Sequence, residues 1–397
     1  MSNPKLALIP SGYKSGKVYS ILPNDATGDF DFDRASEGTR VRKDGLIEEV
    51  TSDVPRLDWL NSNCPSLLLE PQRTNGFTYS EQFEQGVWFK SNCTITTNQI
   101  IAPDGTLTAD LATSTANGGG VYRFNSWNTT EKTVSIFVKI NTSNTAEIFN
   151  GSAGTNRVVF DLVNGTVDTE GGSMTGTIKD FGNGWYRLTA THTAVTGQTF
   201  GLKPETNESL YIWGAQIEDG GYSSTYIKTE ASTLTRLYED FESENTYSTG
   251  NDVTWFLDFN TYSFQNSFRP LFVARNSGFT QTMDLITYNS GSDYYFRIRA
   301  TNQSSFQTII AFGQNAIQMF TRNKVAVRLY GSNFEIYVNG TREYTGTSTD
   351  GDWTLLNNSA ILNDFGSNTE RPSARLYDFR VYDQTMTQTE LEKLTIL

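Results

Sequence analysis

Hydrophobic alternation of period two recurs along almost the whole chain, and helical periodicity is nearly absent until the last dozen residues. The backbone is therefore predicted to be β nearly throughout. Residues 133–140 place Val134, Ile136 and Val138 on one face, and residues 157–163 are closed by Asn164-Gly165, a pair suited to a tight hairpin because both turn residues accept positive φ. Residues 184–190, 210–213, 253–259, 294–299, 325–330 and 334–338 read as further strands, the last leading into a second Asn-Gly pair, Asn339-Gly340. Many short strands parted by Gly, Asn, Ser and Thr predict sandwiches or jelly rolls. Thr387-Gln-Thr-Glu390 forms a capping box that opens a short helix carrying Leu391 and Leu394, expected to pack as a lid on the last sandwich.

A length of 397 residues exceeds the roughly 250 to 300 at which a single core stops growing, and 25 Phe, 19 Tyr and 7 Trp supply the apolar area for more than one. Six of the ten prolines fall in residues 1–75, with several charge clusters, so this segment reads as an irregular arm with short strands. A polar stretch at 238–250 then parts two strand-rich blocks, each the size of one jelly roll. The expected organisation is all-β, with two jelly-roll or β-sandwich domains in tandem, residues 76–240 and 241–397, behind an arm at 1–75.

Thirty-one Lys plus Arg against 44 Asp plus Glu leave a net charge of −13, which repels phosphate backbones and anionic lipid surfaces, so nucleic acid is not an expected partner. No stretch approaches the ~20 apolar residues of a membrane span, so no membrane insertion is expected, and the five-residue apolar run after Lys5 is too short for a signal-peptide core. The chain is expected to start in a cytoplasm. Cys64 and Cys93 cannot make a disulfide framework and, with one histidine in the chain, do not make a metal site, so both read as packed thiols.

Several motifs go beyond generic β patterning. Residues 65–75 (Pro-Ser-Leu-Leu-Leu-Glu-Pro-Gln-Arg-Thr-Asn), Tyr79-Ser80, Trp88, residues 102–106 (Ala-Pro-Asp-Gly-Thr), residues 211–218 (Tyr-Ile-Trp-Gly-Ala-Gln-Ile-Glu) and Tyr226-Ile227 resemble, in order and spacing, a carbohydrate-binding-module-like jelly roll found in structural proteins of tailed bacteriophages. Residues 6–14, Leu22-Pro-Asn24, residues 30–36 and residues 40–47 resemble the N-terminal segment of the same phage proteins, while Ile227-Lys228-Thr229 departs from their usual Ile-Pro-Thr. Residues 324–330, 334–340 and 374–383 resemble a concanavalin-like, laminin-G type of sandwich. The resemblance implies a virion surface protein, of the head-fibre, decoration or tail-fibre kind, assembled in the bacterial host cytoplasm. It further implies an arm that anchors to other capsid or tail proteins, a homo-oligomer of trimeric type, and attachment to bacterial surface glycans.

Enzymatic chemistry is not expected. The paired carboxylates of a sandwich glycosidase are missing, since Glu48-Glu49, Glu242/Glu244 and Glu390/Glu392 read as turn, linker and helix surface. A polysaccharide depolymerase, or a structural protein without glycan binding, remains the alternative. His192 reads as a half-buried, hydrogen-bonded core residue, since a serine triad would need a Gly-x-Ser-x-Gly turn as well. Asp29-Phe-Asp-Phe-Asp33 mimics the start of a calcium loop but carries Arg34 and Arg40 where Gly and Glu are needed, and reads instead as a strand with Phe30 and Phe32 inward and the aspartates outward. No cofactor is called for; a structural Ca2+ held by loop carbonyls and an aspartate such as Asp104 stays open. Sugar rings need flat aromatic faces, and the candidates are Trp88, Tyr122 and Trp127 in the first block and Tyr344 and Trp353 in the second. Trp127 has the most polar context, while the positions of Trp88, Trp185, Trp213 and Trp255 favour packing.

Overall fold

A computed structural model describes residues 3–60, 62–124, 131–151, 155–193, 199–243, 252–261, 269–275, 282–290, 293–302, 305–311, 321–347, 358–361, 373–384 and 386–397. Trp127 and Trp353 lie outside these. Among the described residues the chain is all-β apart from one short helix, and these strands form two sandwiches of antiparallel sheets.

In the first sandwich, one sheet runs in the order Phe89–Ser91, Gly120–Phe124, Thr199–Pro204, Thr145–Asn150, Asn156–Asp161, Thr166–Gly171. The other runs Cys93–Ile100, Ala109–Ser114, Ser209–Asp219, Glu131–Ile140, Trp185–Thr193, Met174–Asp180. Alternation puts Val121, Ile148, Val158, Phe160, Phe200 and Leu202 on the inner face of the first sheet, opposite Val134, Ile136, Val138, Leu188, Leu210 and Ile212 of the second, all buried in one core. His192 is buried beside Met174 on the neighbouring strand, but its Nδ1 has no partner among the described residues, so the expected core hydrogen bond is missing; burial lowers its pKa. Cys93 is buried and its thiol pushed up to about 11 by desolvation, whereas Cys64 is exposed, contrary to the reading of both as packed.

The second sandwich departs most from the tandem expectation. Strand Ala374–Tyr382 pairs on one side with Asp252–Thr261, and on its other side with two strands from the N-terminal segment, Leu6–Leu8 and Ser66–Leu69. In the facing sheet, Phe30–Asp33 pairs with Asp240–Ser243. Residues 1–75 therefore do not form a separate arm: they supply strands to both sheets of the C-terminal sandwich, and the jelly roll is inserted into it. The physical reason is apolar alternation within the proline-rich segment. Phe30 and Phe32 are buried as expected, with Asp31 and Asp33 exposed, but Asp29 turns inward to accept hydrogen bonds from the Ser20 amide and hydroxyl.

The insert joins its host through a two-stranded neck, Arg73–Asn75 against Leu234–Arg236. Beneath it lies a buried ionic cluster. Arg56 donates to Glu239 (Nε to Oε1, 2.5 Å) and Glu70 (Nη1 to Oε2, 2.8 Å), Arg34 to Glu239 (3.0 Å), and Arg236 to Glu70 (2.8 Å). Burial alone would raise both carboxyls, but the guanidinium groups of Arg236 and Arg56 hold Glu70, and chiefly that of Arg56 holds Glu239, below the ordinary carboxylate range.

Local turn chemistry follows the sequence at one Asn-Gly pair and not at the other. Asn339 and Gly340 both take positive φ and join Val338 directly to Thr341. Gly165 does so too, but Asn164 does not, because Asp161 accepts the amides of Val163 and Asn164 and opens the hairpin into a longer loop. The helix Gln388–Thr395 carries the expected capping box, with Leu391 and Leu394 buried against Phe256, Ala326 and Tyr337. Thr387→Ala should cost about 1 kcal/mol in urea unfolding, since the amide of Glu390 loses its acceptor.

Candidate functional site

The outer face of the first sheet carries a row of side chains that the core does not need. Register aligns Phe89 with Tyr122, Tyr122 with Gly201, Gly201 with Phe149, and Phe149 with Arg157, across five neighbouring strands. Because side chains alternate along a strand, burying Val121, Phe200, Leu202 and Ile148 obliges these neighbours to face outward.

The result is an aromatic cluster in which Phe89 and Phe124 are open to solvent, Tyr122 is half-buried and Phe149 is buried beneath them. Phe89 and Tyr122 lie nearly parallel, 13° between planes and 6.0 Å between centroids. Phe124 meets both edge-on, at 4.7 and 5.1 Å, and Tyr122 meets Phe149 at 6.2 Å. Phe89 and Phe124 are 47% and 53% exposed, which is unusual for large apolar rings lying together on a strand face. Gly201 makes the arrangement fit: a Cβ there would lie 2.5 Å from both Phe149 Cζ and Tyr122 Cβ. A polar rim adjoins the rings. The Lys203 ammonium sits 4.1 Å from the Phe149 ring centre and 2.9 Å from Glu147 Oε1, with Arg157 Nη1 4.0 Å from Glu147 Oε2. Flat apolar rings flanked by hydrogen-bonding groups can take the C–H face of a pyranose together with its hydroxyls.

Of the sequence-predicted sugar residues, Tyr122 belongs to this face. Trp88 does not: it is buried against Phe77 and Phe83, its Nε1 donates to the Tyr79 carbonyl, and Arg123 stacks 5.2 Å from its ring. The neighbouring Phe89 takes the outward position instead. Tyr344 is half-buried on the second sandwich, stacked on Phe334 at 5.6 Å, and is not brought together with Tyr122. Phe89, Phe124 and Phe149 are not among the sequence candidates; Phe124 alone is signalled locally, since Val121-Tyr122-Arg123-Phe124 puts large rings at alternate positions beside Tyr122. Asp104 accepts from the amide and hydroxyl of Thr106, closing its own turn. Among the described residues no group of three or more His, Cys, Asp or Glu is placed to hold a metal ion.

No family model matches the chain, and no curated protein matches it. Among solved structures, it is similar over 37% of its length to 84% of a chain described as the Ruminococcus gnavus IT-sialidase CBM40, at 17% identity and a TM-score of 0.32. Domain 4 of AbnA, a GH43 extracellular arabinanase from Geobacillus stearothermophilus in complex with arabinotriose, matches at 14% identity and a TM-score of 0.34, covering 45% of this chain and 83% of that one. The Caenorhabditis elegans galectin LEC-6 matches at 12% identity and 0.27, covering 34% and 85%. Likenesses of this size carry no conclusion about what the present chain binds.

Proposed function

We propose that the chain is a glycan-binding structural protein of a bacteriophage particle, displayed in many copies and attaching the particle to bacterial surface polysaccharide without cleaving it. The observation that carries the binding half is the outward-facing cluster of Phe89, Tyr122 and Phe124, with the solvent-open rings of Phe89 and Phe124, backed by the buried Phe149 around Gly201. Support for the particle half is the motif resemblance within residues 6–47 and over about residues 60–237, together with an acidic charge that keeps a dense array soluble. Single sites of this open kind bind weakly, and many on one oligomeric fibre or decorated shell gain avidity by orders of magnitude without new contacts.

A glycan array probed with the full chain, presented multivalently, tests the binding half. Tyr122→Ala is expected to lose at least tenfold in binding, and Gly201→Val to lose it as fully, because the new side chain meets the two flanking rings. Retained binding in both variants would remove the aromatic face as the site. Antibody raised against the chain should decorate intact particles, and light scattering should give a defined oligomer, a trimer on this reading. Released reducing ends would instead establish a depolymerase.

A further inference from the structure

The chain carries six Asn-Gly pairs, beginning at Asn75, Asn117, Asn150, Asn164, Asn183 and Asn339. At such a pair the chain can modify itself, because glycine has no side chain to shield its nitrogen from the side-chain carbonyl carbon of the preceding asparagine. The glycine nitrogen bonds to Cγ, the Cγ–Nδ2 bond breaks, the side-chain nitrogen leaves as ammonia with the proton the glycine gives up, and a succinimide ring remains. Water opens that ring at either carbonyl, giving aspartate, or isoaspartate with the main chain rerouted through the former side chain. The step requires an asparagine side chain free to turn, a glycine N–H without an acceptor, and a backbone able to swing.

Four of the six pairs are shut. Asn75 is buried, its Oδ1 accepts the amides of Phe77 and Ile217, its Nδ2 donates to the carbonyls of Ala215 and Ile227, and the Gly76 amide donates to the Ile217 carbonyl. Asn339 accepts the Lys324 amide and donates to Asn323, while the Gly340 amide donates to the Thr395 hydroxyl. Asn150 is buried, and the Gly151 amide donates to the Thr199 carbonyl. Asn164 is exposed, but its Nδ2 is held 2.6 Å from Asp161 Oδ2, and a carboxylate so near disfavours the anionic nitrogen that must attack.

Two pairs remain, and one of them is tied down. Asn183 stands in the left-handed region of a hairpin closed by the Phe181 amide on the Trp185 carbonyl and the Trp185 amide on the Gly182 carbonyl, and its own carbonyl holds the Lys139 ammonium at 2.7 Å. Asn117 is exposed and its side chain makes no hydrogen bond among the described residues. With Gly118 it forms the corner of a turn in which the Gly119 amide donates to the Ala116 carbonyl, leaving the Gly118 amide without an acceptor. Gly118 is exposed at φ +75°, a Cβ there would meet nothing within 4 Å, and two more glycines follow it.

We propose that Asn117 is a self-modification site, converting through a succinimide to isoaspartate and aspartate ahead of every other Asn-Gly pair in the folded chain. Isoaspartate adds a main-chain carbon and a negative charge in the turn that leads into Gly120–Phe124. The backbone beyond is closely packed, since a Cβ at Gly119 would lie 2.2 Å from the Asn92 carbonyl oxygen and one at Gly120 2.6 Å from that of Leu202, so the extra atom has room only on the open side at Gly118. The site does not rest on the glycan reading.

Incubation of the full chain at mildly alkaline pH in heavy-oxygen water, followed by peptide mapping and an isoaspartate assay, tests it. The peptide holding Asn117 is expected to gain heavy oxygen and isoaspartate at least tenfold faster than those holding the other five asparagines, because each of those must first open locally. In urea that opening is no longer needed, and the six rates should converge to within a few-fold. Asn117→Gln, whose longer side chain would have to close a larger ring, should remove the early acidic species from a chain of unchanged thermal midpoint. Another pair converting first in the folded chain, equal rates there, the same early species in the variant, or a lead for Asn117 undiminished in urea overturns the proposal.

Discussion

Removing residues 1–75 is expected to unfold the C-terminal sandwich, not to release a folded domain from an anchor. The deleted segment holds Leu6, Leu8, Val18, Phe30, Phe32, Leu57, Leu67 and Leu69, all buried in the same core as Trp255, Leu271, Val327 and Phe379. At about 2 kcal/mol for each buried side chain, their loss outweighs the roughly 5 to 15 kcal/mol by which a whole domain is stable. Strand Ala374–Tyr382 would also lose every pairing on one of its edges. The inserted jelly roll should survive, since its main core draws only on residues between Phe77 and Ile217. Limited proteolysis of the truncated chain should therefore leave a resistant fragment near 76–237 and digest the rest. A truncated chain that resists proteolysis throughout would show the N-terminal strands to be dispensable.

Glu239→Gln should be the most damaging single substitution at the neck, costing about 3 to 5 kcal/mol, because it leaves Arg34 and Arg56 buried with one carboxylate fewer. The same cluster sets an acid limit. Glu70 and Glu239 titrate below 4.5 in the folded chain, so the stability their ionisation contributes is present above pH 4.5 and lost as pH falls below it. Thermal midpoints measured from pH 7 to 3 should drop steeply below that value in the native chain, and less steeply in the variant, which has one such group fewer. Parallel curves would mean that the cluster does not govern acid stability.

What could be read from the sequence was local. The capping box at Thr387, the inward Phe30 and Phe32, and the direct hairpin at Asn339-Gly340 each depend on residues within a few positions, and each is found. The host sandwich was not legible, because the pairing of Leu6–Leu8 with Ala374–Tyr382 joins segments more than 370 residues apart, and no periodicity within either encodes the partner. The composition shift near residue 75 has the look of a domain end, but it marks the point where one fold is interrupted by another. The site was half legible for a related reason. Trp88 and Phe89 are adjacent, one faces the core and one faces water, and residue type favoured the tryptophan while strand phase decided for the phenylalanine.

The most direct test of the aromatic face as a glycan site is hydrogen–deuterium exchange on the full chain with and without the glycan that binds best on the array. Protection is expected on Phe89–Ser91, Gly120–Phe124, Thr199–Pro204 and Thr145–Asn150, the four adjacent strands that carry the rings and Gly201. Protection confined to the opposite sheet, Cys93–Ile100 through Met174–Asp180, or to the C-terminal sandwich, would contradict it.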